Sequence, residues 1–398
     1  MRRRLLASLT LIGWLSAAPA FAACDLSAPD ALGAGQGDCG RLWADANLRL
    51  DQIQIVGTAE SYKLAPTDQL LSLIRMGGKA GAQALDFGQP ALSAQLDLGA
   101  RSLEFDIAAD PAGGLYKHPA GASMAGELLD PAYVARMSEP GVKVIHVFDV
   151  DYRSSCLTLK DCLTEVLTWS RTHPRHLPFV IVLHTNDRKT SMPGATRPAP
   201  FDGAAFERLD ALIRSLFEPR ELIVPDDVKG AYPSLRAAVA GRAWPKLAEA
   251  RGKTIFLLDD TPAKVALYTQ PASSEAPSLQ GKPMFVTVNE DSPLASFLSI
   301  EDPIKDLARI ESDVAAGFIV KTRADRGTRE ARQRNMARRD TAFSSGAQIV
   351  VTDFLLPDRK IGDYQVKLAG PARCDTKTAG NLCAGVEFPA RPAAQNRR

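Results

Sequence analysis

Apolar residues along this chain fall into short continuous runs separated by longer stretches of helical period. Four runs come first: QIQIVGT (52–58), RSLEFDI (101–107), VKVIHVFD (142–149) and LPFVIVLHT (177–185). Four more follow: KTIFLLDD (253–260), KPMFVTVNE (282–290), GFIVKTRAD (317–325) and AQIVVTDF (347–354). Runs that are continuous rather than alternating predict strands buried on both faces, as in a parallel sheet covered by helices. Segments of helical period at 157–173, 203–217 and 325–346 stand where crossovers are needed. Eight strands with intervening helices over about 300 residues predict an α/β fold, a (β/α)8 TIM barrel, with a doubly wound open sheet as the alternative.

The ends of the chain read differently. Residues 1–22 carry three arginines, an apolar run and an Ala20-Phe21-Ala22 cut site, which predicts a secretory signal peptide and a periplasmic or secreted protein. The apolar run is short for a membrane span, which takes about 20 residues, and no later segment is apolar for long enough. An N-terminal segment at 23–48, a barrel at 49–356 and an extension at 357–398 follow, the last with a disordered Pro/Arg/Ala-rich tail. Removing the first 22 residues takes three arginines and no acids, leaving 45 basic against 46 acidic side chains, a net charge of −1. That balance points away from nucleic acid, while peripheral contact with a membrane stays open. The six cysteines, even in number in an exported chain, favour disulfides, with nearest neighbours pairing as Cys24–Cys39, Cys156–Cys162 and Cys374–Cys383.

In such a barrel, functional groups gather at the C-terminal ends of the strands. Those ends carry Glu60, Glu104, Asp106, His146, His184, Arg323, Asp325 and Asp353. Glu104 and Asp106 are two apart on one strand, so both side chains point to the same face. Two carboxylates there repel each other unless a cation or a proton lies between them. His146 in VIHVF would alone read as a core histidine; only its company at the strand ends makes it a candidate.

The segments IQIVGTAESYK, QLDLGARSLEFDIAADPAGG, VKVIHVFDVDYRSSCLTLKDCL, WSRTHPRHLPFVIVL, AAGFIVKTRAD and RRDTAFSSGAQIVVTDF, in this order, resemble the calcium-dependent phosphoinositide phospholipase C family of exported bacterial proteins. The resemblance implies attack on a phosphodiester by the inositol 2-hydroxyl, giving a cyclic phosphate and diacylglycerol. That reaction needs a base, an acid and positive charge against the phosphorane. His146 matches the family's general acid, and Glu104 and Asp106 match two calcium ligands. The family's first loop has the form GTHNSY, with a catalytic histidine and a calcium-binding asparagine; here Ala59 and Glu60 stand in their places. His184 replaces a glutamate ligand on the fourth strand.

The expected metal set is therefore Glu60, Glu104, Asp106 and His184, holding a divalent metal. Calcium follows from the resemblance, whereas the imidazole of His184 would suit a transition metal better. Two readings follow. One is a phosphoric diester hydrolase of the phospholipase C type with an altered, metal-assisted mechanism. The other is an inactive relative that binds a lipid headgroup or sugar phosphate. Arg323 and Asp353 are expected either to contact the headgroup or to form a structural pair between the last two strands. His118, in GLYKHPAG, reads as a replacement base or as a solvent-exposed loop residue, and Arg338, Arg339 and Asp340 are expected to cover their helix.

Overall fold

The protein was analysed as a computed structural model that describes residues 39–190, 194–270 and 276–382. In chain order its strands are β1 (Ile53–Thr58), β2 (Ser102–Asp110), β3 (Gly141–Val144), β4 (Phe179–Thr185), β5 (Thr254–Leu258), β6 (Met284–Val286), β7 (Phe297–Ser299), β8 (Ile319–Arg323), β9 (Ile349–Thr352) and β10 (Arg373–Cys374). Eight of them form a parallel sheet in the order β6-β5-β4-β2-β1-β9-β8-β7. A parallel bridge between Thr287 and Phe297, just past β6 and on β7, joins the two edges and closes a (β/α)8 barrel. Every residue of β1 and β5 is buried, as their unbroken apolar runs require.

Helices return the chain to the start of each strand, and capping side chains fix where they begin. Thr158 accepts a hydrogen bond from the Asp161 backbone N–H to open Leu159–Thr172, and Asp202 accepts one from Ala205 to open Gly203–Leu216. No helix among the described residues is long and apolar enough to cross a membrane.

Two expected elements are corrected. The run 142–149 is not a barrel strand: only Gly141–Val144 is extended, and it pairs antiparallel with the far end of β2. β2 continues to Asp110, and its far end takes up this antiparallel partner, held by the buried Lys143–Asp110 ion pair at 3.1 Å. The missing barrel strand is Phe297–Ser299, whose three residues are too few to stand out as an apolar run. The helical stretch 325–346 divides into Arg329–Gln333 and Ala337–Ser344, with Arg334 left-handed between them. Arg338 does not cover its helix but is buried, its guanidinium donating to the carbonyls of Arg323 and Glu301.

Cys156 and Cys162 form the expected disulfide, and Cys374 is also disulfide-bonded. The signal peptide, Cys24, Cys383 and the C-terminal tail lie outside the described residues.

Candidate active site

The loop GTAESYK leaves β1 at the end of the barrel where the parallel strands finish. Its backbone is held by the neighbouring strands: the Ala59 N–H donates to Thr352 O at 3.0 Å, and the Ser61 N–H donates to Glu104 O at 3.0 Å. The Ser61 hydroxyl donates to Thr58 O at 2.9 Å and accepts from the Glu104 N–H at 2.8 Å. Between these anchors Glu60 adopts a left-handed conformation, with φ of 38°, and its half-buried side chain reaches toward Asp106 and His146. Ala59 is fully buried and brings no functional group. Tyr62, stacked on Phe105, donates its hydroxyl to Asp106 Oδ2 at 2.8 Å.

His146 lies just past β3, with its imidazole between two carboxylates. Nδ1 is 2.8 Å from Asp151 Oδ2, and Nε2 is 3.7 Å from Glu60 Oε1. The Asn186 side chain donates to the carbonyls of Ile145 and His146 and so fixes this turn against the end of β4. Asp151 in turn faces the fully buried Lys63 ammonium at 3.3 Å, which also donates to the carbonyls of Leu85 and Phe87. Burial opposes a charge on His146, but the hydrogen bond that Nδ1–H donates to Asp151 and the charges of Glu60 and Asp106 outweigh it and lift the imidazole to about 9. His146 is therefore protonated at neutral pH. Burial raises the Asp106 carboxyl above its ordinary range despite the nearby imidazoles.

A second cluster crosses the barrel mouth. Lys321 Nζ, on β8, lies 2.9 Å from Glu104 Oε1 on β2, 2.8 Å from Asp259 Oδ2 just past β5, and 3.6 Å from Glu301 Oε1 just past β7. His184 Nδ1 is 2.6 Å from the Asp259 carbonyl. Arg323 pairs with Asp353 Oδ1 across β8 and β9, and Asp353 Oδ2 is buried without a hydrogen-bond partner. Burial, against the pull of Arg323, holds the Asp353 carboxyl well above the usual range. Asp325 faces inward and is consumed by structure, accepting from the Asp353 N–H at 2.7 Å, from the Tyr364 hydroxyl at 3.1 Å and from Thr352.

The expected residues are thus distributed over two groups. Glu60, Asp106 and His146 each bring one donor atom within 4.8 Å of the others. Glu104 and His184 instead belong to the Lys321–Asp259 cluster. His118 is exposed in its loop and joins neither. Lys321, Asp259, Glu301 and Asp151 all escaped the sequence reading. Lys321 had a signal, being a lysine in the middle of an apolar strand; Asp259 closed the run KTIFLLDD, and Asp151 lay five residues past His146.

A family model described as "Phosphoinositide phospholipase C, Ca2+-dependent" matches residues 48–376, nearly the whole described chain. The chain belongs to this family. Similar solved structures include a calcium-dependent phosphoinositol-specific phospholipase C from a Pseudomonas species, 16% identical over 78% of this chain and 92% of that one, with a TM-score of 0.47. Another is a Ca2+-dependent phosphatidylinositol-specific phospholipase C from Streptomyces antibioticus, 15% identical over 77% and 94%, with a TM-score of 0.46. No curated protein matches the chain. The family assignment rests on the matched residues, and the barrel on its own strand pairing.

The phospholipase C family name implies a divalent metal, and Glu60, Asp106 and His146 form an acidic and imidazole group of the right compactness. Calcium itself fits this donor set poorly. It takes about six to eight oxygen ligands, whereas here one of three donors is a nitrogen and the Glu104 carboxylate is already bonded to an ammonium. Binding a metal through Nε2 would need that nitrogen without its proton, whereas Asp151, Glu60 and Asp106 hold the imidazole charged, so His146 does not fit as a metal ligand either.

Proposed function

We propose that this protein is an exported phosphodiesterase that cleaves a phosphoinositide or a closely related phosphodiester by attack of the neighbouring ring hydroxyl. The observation that carries this reading is the placing of the His146 imidazole at the barrel mouth between two carboxylates, Asp151 at 2.8 Å and Glu60 at 3.7 Å, which favours its charged, proton-donating form. Substrate binds with its phosphate at the end of β1, between His146 on one side and the Arg323–Asp353 pair on the other. The hydroxyl oxygen forms its bond to phosphorus while the bond to the leaving oxygen breaks. His146 Nε2–H gives its proton to the leaving oxygen, and Asp353 Oδ2, the acceptor without a donor, takes the proton of the attacking hydroxyl. Arg323 adds positive charge beside the phosphate. Asp353 thereby does the work of the histidine that Ala59 replaces: Thr58 and Thr352 are partners in register, so the two next residues, Ala59 and Asp353, emerge side by side.

A lipid substrate is supported by where exposed apolar side chains fall. Leu115, Met124 and Leu128 follow β2, Ile304 follows β7 and Leu356 follows β9, all in segments leaving the C-terminal ends of barrel strands. Such a rim suits peripheral contact with a membrane surface. The second reading, a binding protein without turnover, draws on Ala59, where the family's base histidine is gone.

The deciding experiment follows purified protein by phosphorus NMR, with phosphatidylinositol vesicles and with soluble glycerophosphoinositol, beside His146→Ala and Asp353→Asn. Cyclic inositol phosphate from the wild type, lost in both folded variants, supports the proposal. Binding without product from folded wild type establishes the second reading, and full activity of Asp353→Asn removes Asp353 as the base.

A further inference from the structure

We propose that Lys321 is a built-in cation: its ammonium occupies a carboxylate cage across the barrel mouth and makes this part of the protein independent of calcium. The cage is drawn from four separate strands and their ends. Glu104 comes from β2, Asp259 from the end of β5, Glu301 from the end of β7, and the lysine itself from β8. In the sheet β8 and β2 are separated by β9 and β1, so the lysine stem crosses the barrel interior to reach Glu104.

Lys321, Glu104 and Asp259 are all withdrawn from solvent, the lysine being 2% exposed. Carboxylates held this closely in a buried space require a cation between them, since otherwise burial and mutual repulsion drive them to take up protons. The ammonium meets that requirement with N–O distances of 2.8 Å to Asp259 and 2.9 Å to Glu104. The remaining oxygen of Asp259 accepts from the Thr287 hydroxyl at 2.8 Å, which holds the carboxylate in its orientation. A calcium ion binding the same oxygens, at about 2.3–2.6 Å, would have to share them with a fixed positive charge. Lysine is on the same chain as the cage, so its effective concentration there cannot be matched by calcium in solution. This inference stands apart from the proposed phosphodiesterase activity, because it concerns which cation the carboxylates hold and not what the site turns over.

The test is calcium binding by titration calorimetry, with melting temperature in calcium against chelator as a second readout. Wild type is expected to show no calcium binding that depends on Glu104, and Lys321→Arg, which keeps the charge, should behave like it. Lys321→Ala is expected to melt lower in chelator and to regain stability with calcium. The stability regained should grow with calcium concentration, as linkage between binding and folding requires. Adding Glu104→Gln to Lys321→Ala should remove the gain. A folded Lys321→Ala protein that acquires no calcium site overturns the proposal. So does calcium binding or a calcium-induced melting shift in the wild type that Glu104→Gln abolishes, an arm that remains decisive where Lys321→Ala does not fold. Loss or retention of phosphodiester cleavage bears only on the proposed function.

Discussion

Asp151 and His146 are joined by a 2.8 Å hydrogen bond between Oδ2 and Nδ1, and this bond helps to keep the imidazole charged inside the barrel mouth. An acid must hold its proton to give it, so the rate of phosphodiester cleavage should be level at neutral pH and fall as pH rises through about 9. Replacing Asp151 by asparagine removes the charge that favours the imidazolium, and the alkaline limb of kcat/KM should move down by at least about one pH unit. A pH profile of Asp151→Asn that superimposes on wild type would show that Asp151 only fills space.

His176 makes the opposite case. It is buried before β4, with Nε2 2.7 Å from the Ser170 hydroxyl and Nδ1 2.7 Å from the Leu177 carbonyl, and it stacks on Phe179. Burial is the main cause that lowers its pKa to about 4. The unfolded chain takes up the proton near the ordinary value of about 6.5, so it binds more protons than the folded one between those values. Stability from neutral His176 is present in full above about 6.5 and is lost as pH falls toward 4, by up to roughly 3 kcal/mol. Urea unfolding of wild type and His176→Phe at pH 7 and pH 5 measures this. The variant should lose less stability on acidification, and equal losses would refute the assignment.

Gly57 is required by the approach of β1 to β2. The two strands pair at Gly57 and Ser102, and a Cβ on residue 57 would lie 2.5 Å from Ser102 Cβ. Gly57→Ala should destabilise the fold by about 1–3 kcal/mol, and the double change with Ser102→Gly should recover much of that loss. Denaturant unfolding of the single and double variants checks both statements, and an unaffected single variant would show that the strands can separate at no cost.

The barrel was legible because its parallel strands are buried on both faces, which writes each one as an apolar run. Seven of the runs correspond to barrel strands. The run 142–149 misled because three residues of a short antiparallel strand and the turn carrying His146 share one apolar stretch, and burial alone leaves the same mark on both. Phe297–Ser299 was invisible because three residues carry no period. At the site, Glu60, Asp106 and His146 were each identifiable as residues at strand ends.

By itself the sequence determined the fold class, the family and the end of the barrel at which polar groups collect, because these follow from local periodicity and from motifs in fixed order. Only the tertiary structure decided which polar groups meet. Glu104 and Asp106 are two apart on one strand, yet one carboxylate pairs with Lys321 and the other with Tyr62. Such pairings form between strands far apart in the chain, across a closed barrel, where contact depends on strand order and stagger that no local stretch of sequence encodes.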